Sequence, residues 1–450
     1  MEVLLIILQV AVLLGAIFLG IRLGGIAIGY AGGLGVIVLG LVLGMKPGAI
    51  PWDVILIIMA VIAAISAMQI AGGLDYLVQI AERILRSNPK YINYLAPTVT
   101  YFLTILAGTG HTAFSMIPVI VEVAKEQNIK PSAPLSIAVV SSQIAITASP
   151  VSAAVVYMSG ALEPLGWSYP LLLGIWIPTT FVGCMLTAFL ITKFSNLDLS
   201  KDPVYQDRLA KGLVKKSEGA QNIKLKDGAK LSVLLFLLGV LFVVLYATAI
   251  SKIGGEPVFI KNVIVGRDAA IMSAMLTIAT LIVIFCKVDV SKIPETSSVF
   301  RSGMVACVCV FGVAWLGNTF VEGHTDSIKE LASNLVKNYP ALLAVAFFFA
   351  STLLYSQAAT AKAITPVVIA ALGITAAEPG DSYMLVASFV AVSALFVLPT
   401  YPTLLGAVQM DDTGSTRIGK YIFNHAFFLP GVLAIAFSVA FGFLVVSVVG

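Results

Sequence analysis

Runs of about twenty residues without a charge recur along this chain, starting with VLLIILQVAVLLGAIFLGI at 3 to 21. A bilayer core of about 30 Å is crossed by about 20 apolar residues in a helix, so such runs read as membrane spans. Composition agrees: 59% of the 450 residues are hydrophobic and 11% charged, where a soluble globule carries about 25% charge. Intrinsic disorder, a secreted disulfide scaffold and a nucleic-acid binder are excluded, because the net charge of +4 is small and unclustered. The first run follows an acidic Glu2 and exceeds a signal-peptide core in length, so it is read as a retained span.

Spans are expected at 3 to 21, 24 to 44, 53 to 72, 134 to 161, 170 to 192, 231 to 250, 269 to 286, 303 to 319, 383 to 408 and 427 to 448. Cys184, Cys286, Cys307 and Cys309 all fall in or beside apolar runs and read as packing residues. Two further apolar stretches, 93 to 124 and 341 to 372, are interrupted midway by GTGHT (108 to 112) and SQAAT (356 to 360). A backbone break at membrane depth must be covered by protein or line a cavity. Both stretches are therefore expected to be re-entrant helical hairpins.

The lysines and arginines set orientation. With an external N-terminus, the inside receives Arg83, Arg86, Lys125, Lys130 and the basic loop 193 to 230, a solvated linker or an anionic-lipid surface. The outside receives Lys46, Lys252, Lys261, Arg267, Lys329 and Lys337. Both termini are then periplasmic.

Aligning the interruptions reveals an internal repeat. Pro118 falls over Pro366, and Pro150 over Pro399, at nearly equal separations. Amphipathic segments at 73 to 90 and 322 to 338 precede the hairpins and suit helices lying in the interface. The fold expected is an all-α polytopic membrane protein of two inverted repeats, 1 to 192 and 231 to 450, joined by the cytoplasmic linker 193 to 230. Each repeat has five transmembrane helices, one of them broken, and one re-entrant hairpin. Such repeats characterise secondary transporters, whose sites lie near the midplane where broken helices meet.

Four breaks carry the chemistry: GTGHT, TASPVS (147 to 152), SQAAT and LPTYPT (398 to 403). They combine small residues, hydroxyls and prolines with almost no charge. Gly108 and Gly110 permit a tight turn, while Pro150, Pro399 and Pro402 end helices and start new ones. A helix N-terminus offers free N–H groups and about half a positive charge to a carboxylate. Thr109, Thr112, Ser149, Ser152, Ser356, Gln357, Thr360, Thr400 and Thr403 add neutral donors. His111 is a ligand, a proton acceptor or a hydrogen-bonded turn residue; Lys362 either counters an anion's charge or snorkels to water. Tyr401 is a wall or a donor, and Asp411 with Asp412 are either solvated loop or helix-cap residues or a cytoplasmic gate or ion site. No catalytic motif and no metal cluster stands out, so an enzyme is disfavoured; an anion channel, or a carrier of another small organic anion, remains the alternative.

The runs GGLDYLVQIAERILRSNPKY, YFLTILAGTGHTAF, QIAITASPVSAAVVYMS, LLYSQAATAKAITP, FVLPTYPTLLGAVQMDDTGSTRIGK and FNHAFFLPG resemble the anaerobic four-carbon dicarboxylate transporters of bacteria, the Dcu family, nearest its A-type branch. The resemblance implies an inner-membrane carrier of fumarate, succinate, malate and L-aspartate, working by exchange or uptake without a cofactor. It also implies a homodimer in which a scaffold supports a mobile, elevator-like unit. Superfamily relatives bind sodium at Ser-Asn-Thr tips, a role that falls by position on Gly110, His111 and Thr112 and on Ser356 to Thr360. The tips here lack the asparagine, which leaves sodium and proton coupling both open. Lys362 looks characteristic of the A-type. One substrate carboxylate is expected toward Gly110 to Thr112 and Ser149 to Ser152, the other toward Ser356 to Thr360 and Pro399 to Thr403.

Overall fold

The computed structural model describes residues 2–23, 26–214, 225–249, 266–327, 339, 341–372, 374–421 and 423–449. The uncharged runs fold as helices: α1 (Glu2–Leu23), α2 (Ala27–Ile37, extended by a π-turn at Val38–Val42) and α3 (Trp52–Ile70). The amphipathic α4 (Gly73–Ser87) comes next, and then α5 (Ile92–Ala107) and α6 (Ala113–Glu126) flank the first interruption. The first broken span is α7 (Ser132–Ala145) and α8 (Ala153–Leu162), followed by α9 (Tyr169–Phe194).

Beyond a short helix, α10 (Pro203–Ala210), lie α11 (Ala229–Ala249), α12 (Arg267–Phe285) and α13 (Ser298–Gly323). The second interruption separates α14 (Leu342–Leu354) from α15 (Gln357–Leu372). Then come α16 (Tyr383–Ser388), continued by a 3-10 stretch at Phe389–Phe396, α17 (Pro402–Met410) and α18 (Phe428–Val449). The second broken span is thus more irregular than its proline pattern predicts, since its helix tightens well before Pro399. Of the amphipathic segment expected at 322 to 338, residues 328–338 lie outside the described residues, as does 215–224 of the linker.

Among the described residues six helices are long and apolar enough to cross a membrane: Trp52–Ile70, Ser132–Leu165, Tyr169–Phe194, Ala229–Ala249, Ser298–Gly323 and Phe428–Val449. The chain is a multi-pass membrane protein. Burial ranks these helices from centre to rim: the apolar window of Ser132–Leu165 is 100% buried, that of Phe428–Val449 only 33%. The broken span therefore lies at the core, where neighbours can satisfy its freed backbone groups. Leu234, Leu238, Leu241 and Leu245 of α11 are exposed, forming a face suited to lipid.

Two groups of helices emerge. In one, α3 packs on α12 and α13, and α2 packs on α13 and α1. Small residues draw α2 and α13 together: a Cβ on Gly29 or Gly32 would overlap the backbone of Val308 or Gly312. In the other, α5 packs on α7, α14 on the 3-10 stretch, and α9 on α18. Trp176 Nε1 donates to the Val386 carbonyl at 3.0 Å, and Trp167 Nε1 to Ser382 Oγ at 2.8 Å, joining α9 to the second broken span.

The linker begins as a docked element. Asp202 caps α10 and pairs with Lys130 at 3.3 Å, while Asn128 Nδ2 donates to Asp198 at 2.9 Å. The hydroxyl of Ser200 and the neighbouring Lys201 hold the Asp198 carboxyl at about 2. Burial alone would raise Asp202, but the N–H groups of Tyr205 and Val204 and the Lys130 ammonium outweigh it and keep it below its usual value. Depressed carboxylates contribute fully above their unfolded values, about 3.9, and lose that contribution as pH falls through the folded ones. Pepsin cleavage within 196–213, normalised at each pH to cleavage of a free peptide of the same sequence, should accordingly quicken as pH drops from about 4 toward about 2. An unchanged rate across that window contradicts docking through these groups.

Candidate functional site

The first interruption closes on itself. Gly108 ends α5 in the left-handed region at φ +67, where a Cβ would press on Val151 of the broken span, so a side chain is opposed twice over. Gly110–Thr112 form a 3-10 turn. The Thr112 hydroxyl lies 3.2 Å from Thr104 Oγ1 and donates to the Thr109 carbonyl at 3.2 Å. The turn packs on α7 and α13. The His111 side chain lies outside the described residues.

In the neighbouring break the serines are committed to the backbone. Ser149 Oγ donates to the Ile105 carbonyl at 2.6 Å, and Ser152 Oγ to that of Ile146 at 2.6 Å while accepting the Val155 N–H at 3.2 Å. The Pro150 carbonyl accepts the Tyr169 hydroxyl at 2.6 Å. These bonds satisfy the groups that the break frees, which is how an interrupted helix is tolerated at depth.

The second interruption behaves similarly. Tyr355 ends α14 in the left-handed region at φ 58, its hydroxyl 3.3 Å from Thr400 Oγ1 and its ring 5.3 Å from that of Tyr401. Ser356 Oγ accepts the Ala359 N–H at 3.3 Å, and Thr360 Oγ1 donates to the Ser356 carbonyl at 2.7 Å. Pro399, Thr400, Tyr401 and Pro402 are half-buried, and Thr403 is fully buried.

Gln143, which sequence reasoning did not single out, joins the two halves. Its carbonyl accepts Gln357 Nε2 at 3.2 Å, its own Nε2 lies 3.4 Å from Thr403 Oγ1, and its side chain is fully buried. The signal was a glutamine amid the uncharged run of α7. Lys362 stands apart, paired with Asp53 in the first turn of α3. Asp411 is 1% exposed and organises its loop, accepting from Thr413 N at 3.0 Å, Ser415 Oγ at 2.9 Å and Thr416 N at 2.7 Å. Asp412 pairs with Lys125 at 2.9 Å.

Four short helices begin at these breaks, and they pair. α6 and α17 run parallel: Phe114 near the start of one meets Gly406 of the other, and Lys125 near the end of α6 meets Asp412 just past α17. α8 and α15 also pack together, with Thr365 Oγ1 3.5 Å from Met158 Sδ. Ser152 and Ser356 accept N–H groups at the starts of α8 and α15. The N-cap side chains of α6 and α17, Thr112 and Tyr401, make no such bond; at α17 Pro402 carries no N–H and the Leu404 N–H is taken by the Tyr401 carbonyl at 3.0 Å, so that end presents chiefly its helix dipole.

A multi-pass helical protein whose broken helices meet in its buried centre has the construction of a membrane transporter. The chain belongs to the family described as anaerobic C4-dicarboxylate membrane transporters, which residues 5–450 match. It is 66% identical over 444 residues to the C4-dicarboxylate transporter DcuA of Wolinella succinogenes, covering 99% of this chain and 100% of that one. It is 56% identical over 443 residues to DcuA of Escherichia coli K12, with 98% and 99% coverage. The anaerobic C4-dicarboxylate transporter DcuB of Escherichia coli O6:H1 is 37% identical over 456 residues, with 98% of both chains covered. These relatives are transporters, not enzymes.

Proposed function

We propose that the protein carries four-carbon dicarboxylates across the bacterial inner membrane by alternating access, in exchange or uptake. The observation that carries the reading is the pair of adjacent, parallel helices α6 and α17 whose starts no side chain closes. Two such ends sum their partial positive charge toward one carboxylate. α8 and α15 start at the other two breaks and face the second carboxylate, with Gln143 between the pairs. A dianion is thus held by dipoles and hydroxyls rather than by a buried arginine.

The inverted repeat belongs to this proposal. Gly108 and Tyr355 end the first limb of each hairpin in the same left-handed conformation, and α6 on α17 mirrors α15 on α8. The helices α5 to α9 and α14 to α18 form the moving unit, and α1 to α3 with α11 to α13 the scaffold, which pairs with a second copy. The termini are periplasmic.

Counterflow in proteoliposomes tests the reading: unlabelled succinate inside should drive concentrative entry of labelled fumarate, which a channel cannot couple. Repeating it with and without sodium and across pH assigns the coupling ion. Thr112→Ala removes a hydroxyl at the open start of α6. It should raise the succinate KM about fivefold, the scale of one neutral hydrogen bond, by loosening the turn that this hydroxyl ties to the Thr109 carbonyl. Wild-type affinity in that variant would sink the placement.

A further inference from the structure

Lys362 and Asp53 are 309 positions apart yet form an ion pair between α15 and α3. On the function proposed above, on which this inference rests, the pair joins the moving unit to the scaffold. α3 packs on α12 and α13, whereas α15 packs on α8 and α14. The pair is about a third exposed, with side chains 29% and 34% accessible, so water reaches it. A cavity of 340 Å³ opens beside Lys362, lined also by Asn318, Glu322, Thr325 and Pro366. That size lies within the range of small-molecule sites. Glu322 is engaged there by the Ala49 N–H at 2.9 Å.

Lys362 lies six residues beyond Ser356 on the helix whose start faces the substrate. That is about 9 Å of helical rise, spanned by an extended lysine side chain of about 6 Å together with a hydrogen bond of about 3 Å to a carboxylate at the helix start. An ammonium drawn into a membrane interior without a partner is strongly disfavoured. When the unit moves, Asp53 stays behind on the scaffold.

We propose that Asp53 is an internal stand-in for a substrate carboxylate. In the empty carrier it holds Lys362 and ties the moving unit to the scaffold. An arriving dicarboxylate takes the lysine with one carboxylate, frees the unit from Asp53 and neutralises the charge that must travel. An empty carrier is restrained, so outward and inward movements both require cargo, and transport favours exchange over net flux. The ligand must be an anion that replaces the charge Asp53 supplies, and the dicarboxylate of the proposed function is that anion.

The experiment compares, in proteoliposomes loaded with labelled succinate, efflux into succinate-containing buffer with efflux into substrate-free buffer. Wild-type exchange should exceed net efflux by about tenfold or more, and the Asp53→Asn, Lys362→Gln double variant should remove most of that excess. Retention of the wild-type ratio in the double variant overturns the proposal. Calorimetric binding to purified protein provides a readout independent of transport. Asp53→Asn removes the internal competitor and should tighten succinate binding about tenfold, whereas Lys362→Gln should weaken it. Unchanged or weaker binding in Asp53→Asn, with wild-type protein binding succinate normally, overturns the pairing alone. Wild-type protein that neither binds nor exchanges a dicarboxylate overturns the function reading as well.

Discussion

Gly312→Val should cost about 3 kcal/mol or more and leave little folded protein in detergent, because overpacking a close backbone contact forces whole helices apart. A Cβ on Gly312 would overlap the carbonyl of Gly29, and one on Gly32 would overlap Gly312 in return. The two backbones interlock, so no side-chain rotation relieves the clash. Gly33 lies one residue from Gly32 and a Cβ there meets nothing within 4 Å. Gly33→Ala should therefore melt at or slightly above the wild-type temperature, given alanine's better helix propensity. Thermal unfolding of both purified variants checks the pair; equal melting temperatures would show that α2 and α13 can separate freely.

The second large effect is expected at Arg86, near the end of α4. Its guanidinium bonds Glu82 at 2.7 Å, Glu122 at 3.0 Å and Glu126 at 2.8 Å, gathering three carboxylates from α4 and α6. Arg86→Ala leaves those charges facing one another and should cost about 2–3 kcal/mol, less than a fully buried pair because all four side chains retain some exposure. Arg86→Lys should recover only part of this, since one ammonium cannot fork to three partners. Adding Glu126→Gln to Arg86→Ala relieves repulsion and should restore part of the lost stability. If Arg86→Ala melts like wild type, the cluster is a solvated surface with no role in holding the first hairpin to α4.

Much of this architecture could be read from the chain. Spans announce themselves by missing charge, GTGHT by glycine and hydroxyls, and SQAAT by a glutamine and hydroxyls inside apolar runs. The fate of each hydroxyl could not be read, because composition does not say whether a side chain faces a ligand or a carbonyl. Ser149 and Ser152 illustrate this, having turned inward to the carbonyls of Ile105 and Ile146. Thr112 likewise donates to a carbonyl, that of Thr109, at a helix start whose N-cap side chain makes no cap bond. The tightening at Phe389–Phe396 carries no glycine or proline to mark it. Gln143 lies just ahead of the TASPVS break, in the uncharged run of α7, and Asp53 sat at the edge of a span with its partner in the other half of the chain. Such long-range pairings exist only after folding.

Tyr355 makes the two hairpins unequal doors. Where the first hairpin turns on a glycine, the second turns on a bulky residue in a backbone region that costs it about 1–2 kcal/mol. That strain is held by the tilted ring contact with Tyr401 and the bond to Thr400. A turn on glycine has no preferred position to return to, whereas a strained turn clamped by an aromatic partner behaves as a spring with a latch. On the alternating access proposed above, the second hairpin should thus swing between two defined positions and the first through a continuum, so that opening to the two sides of the membrane follows different kinetics.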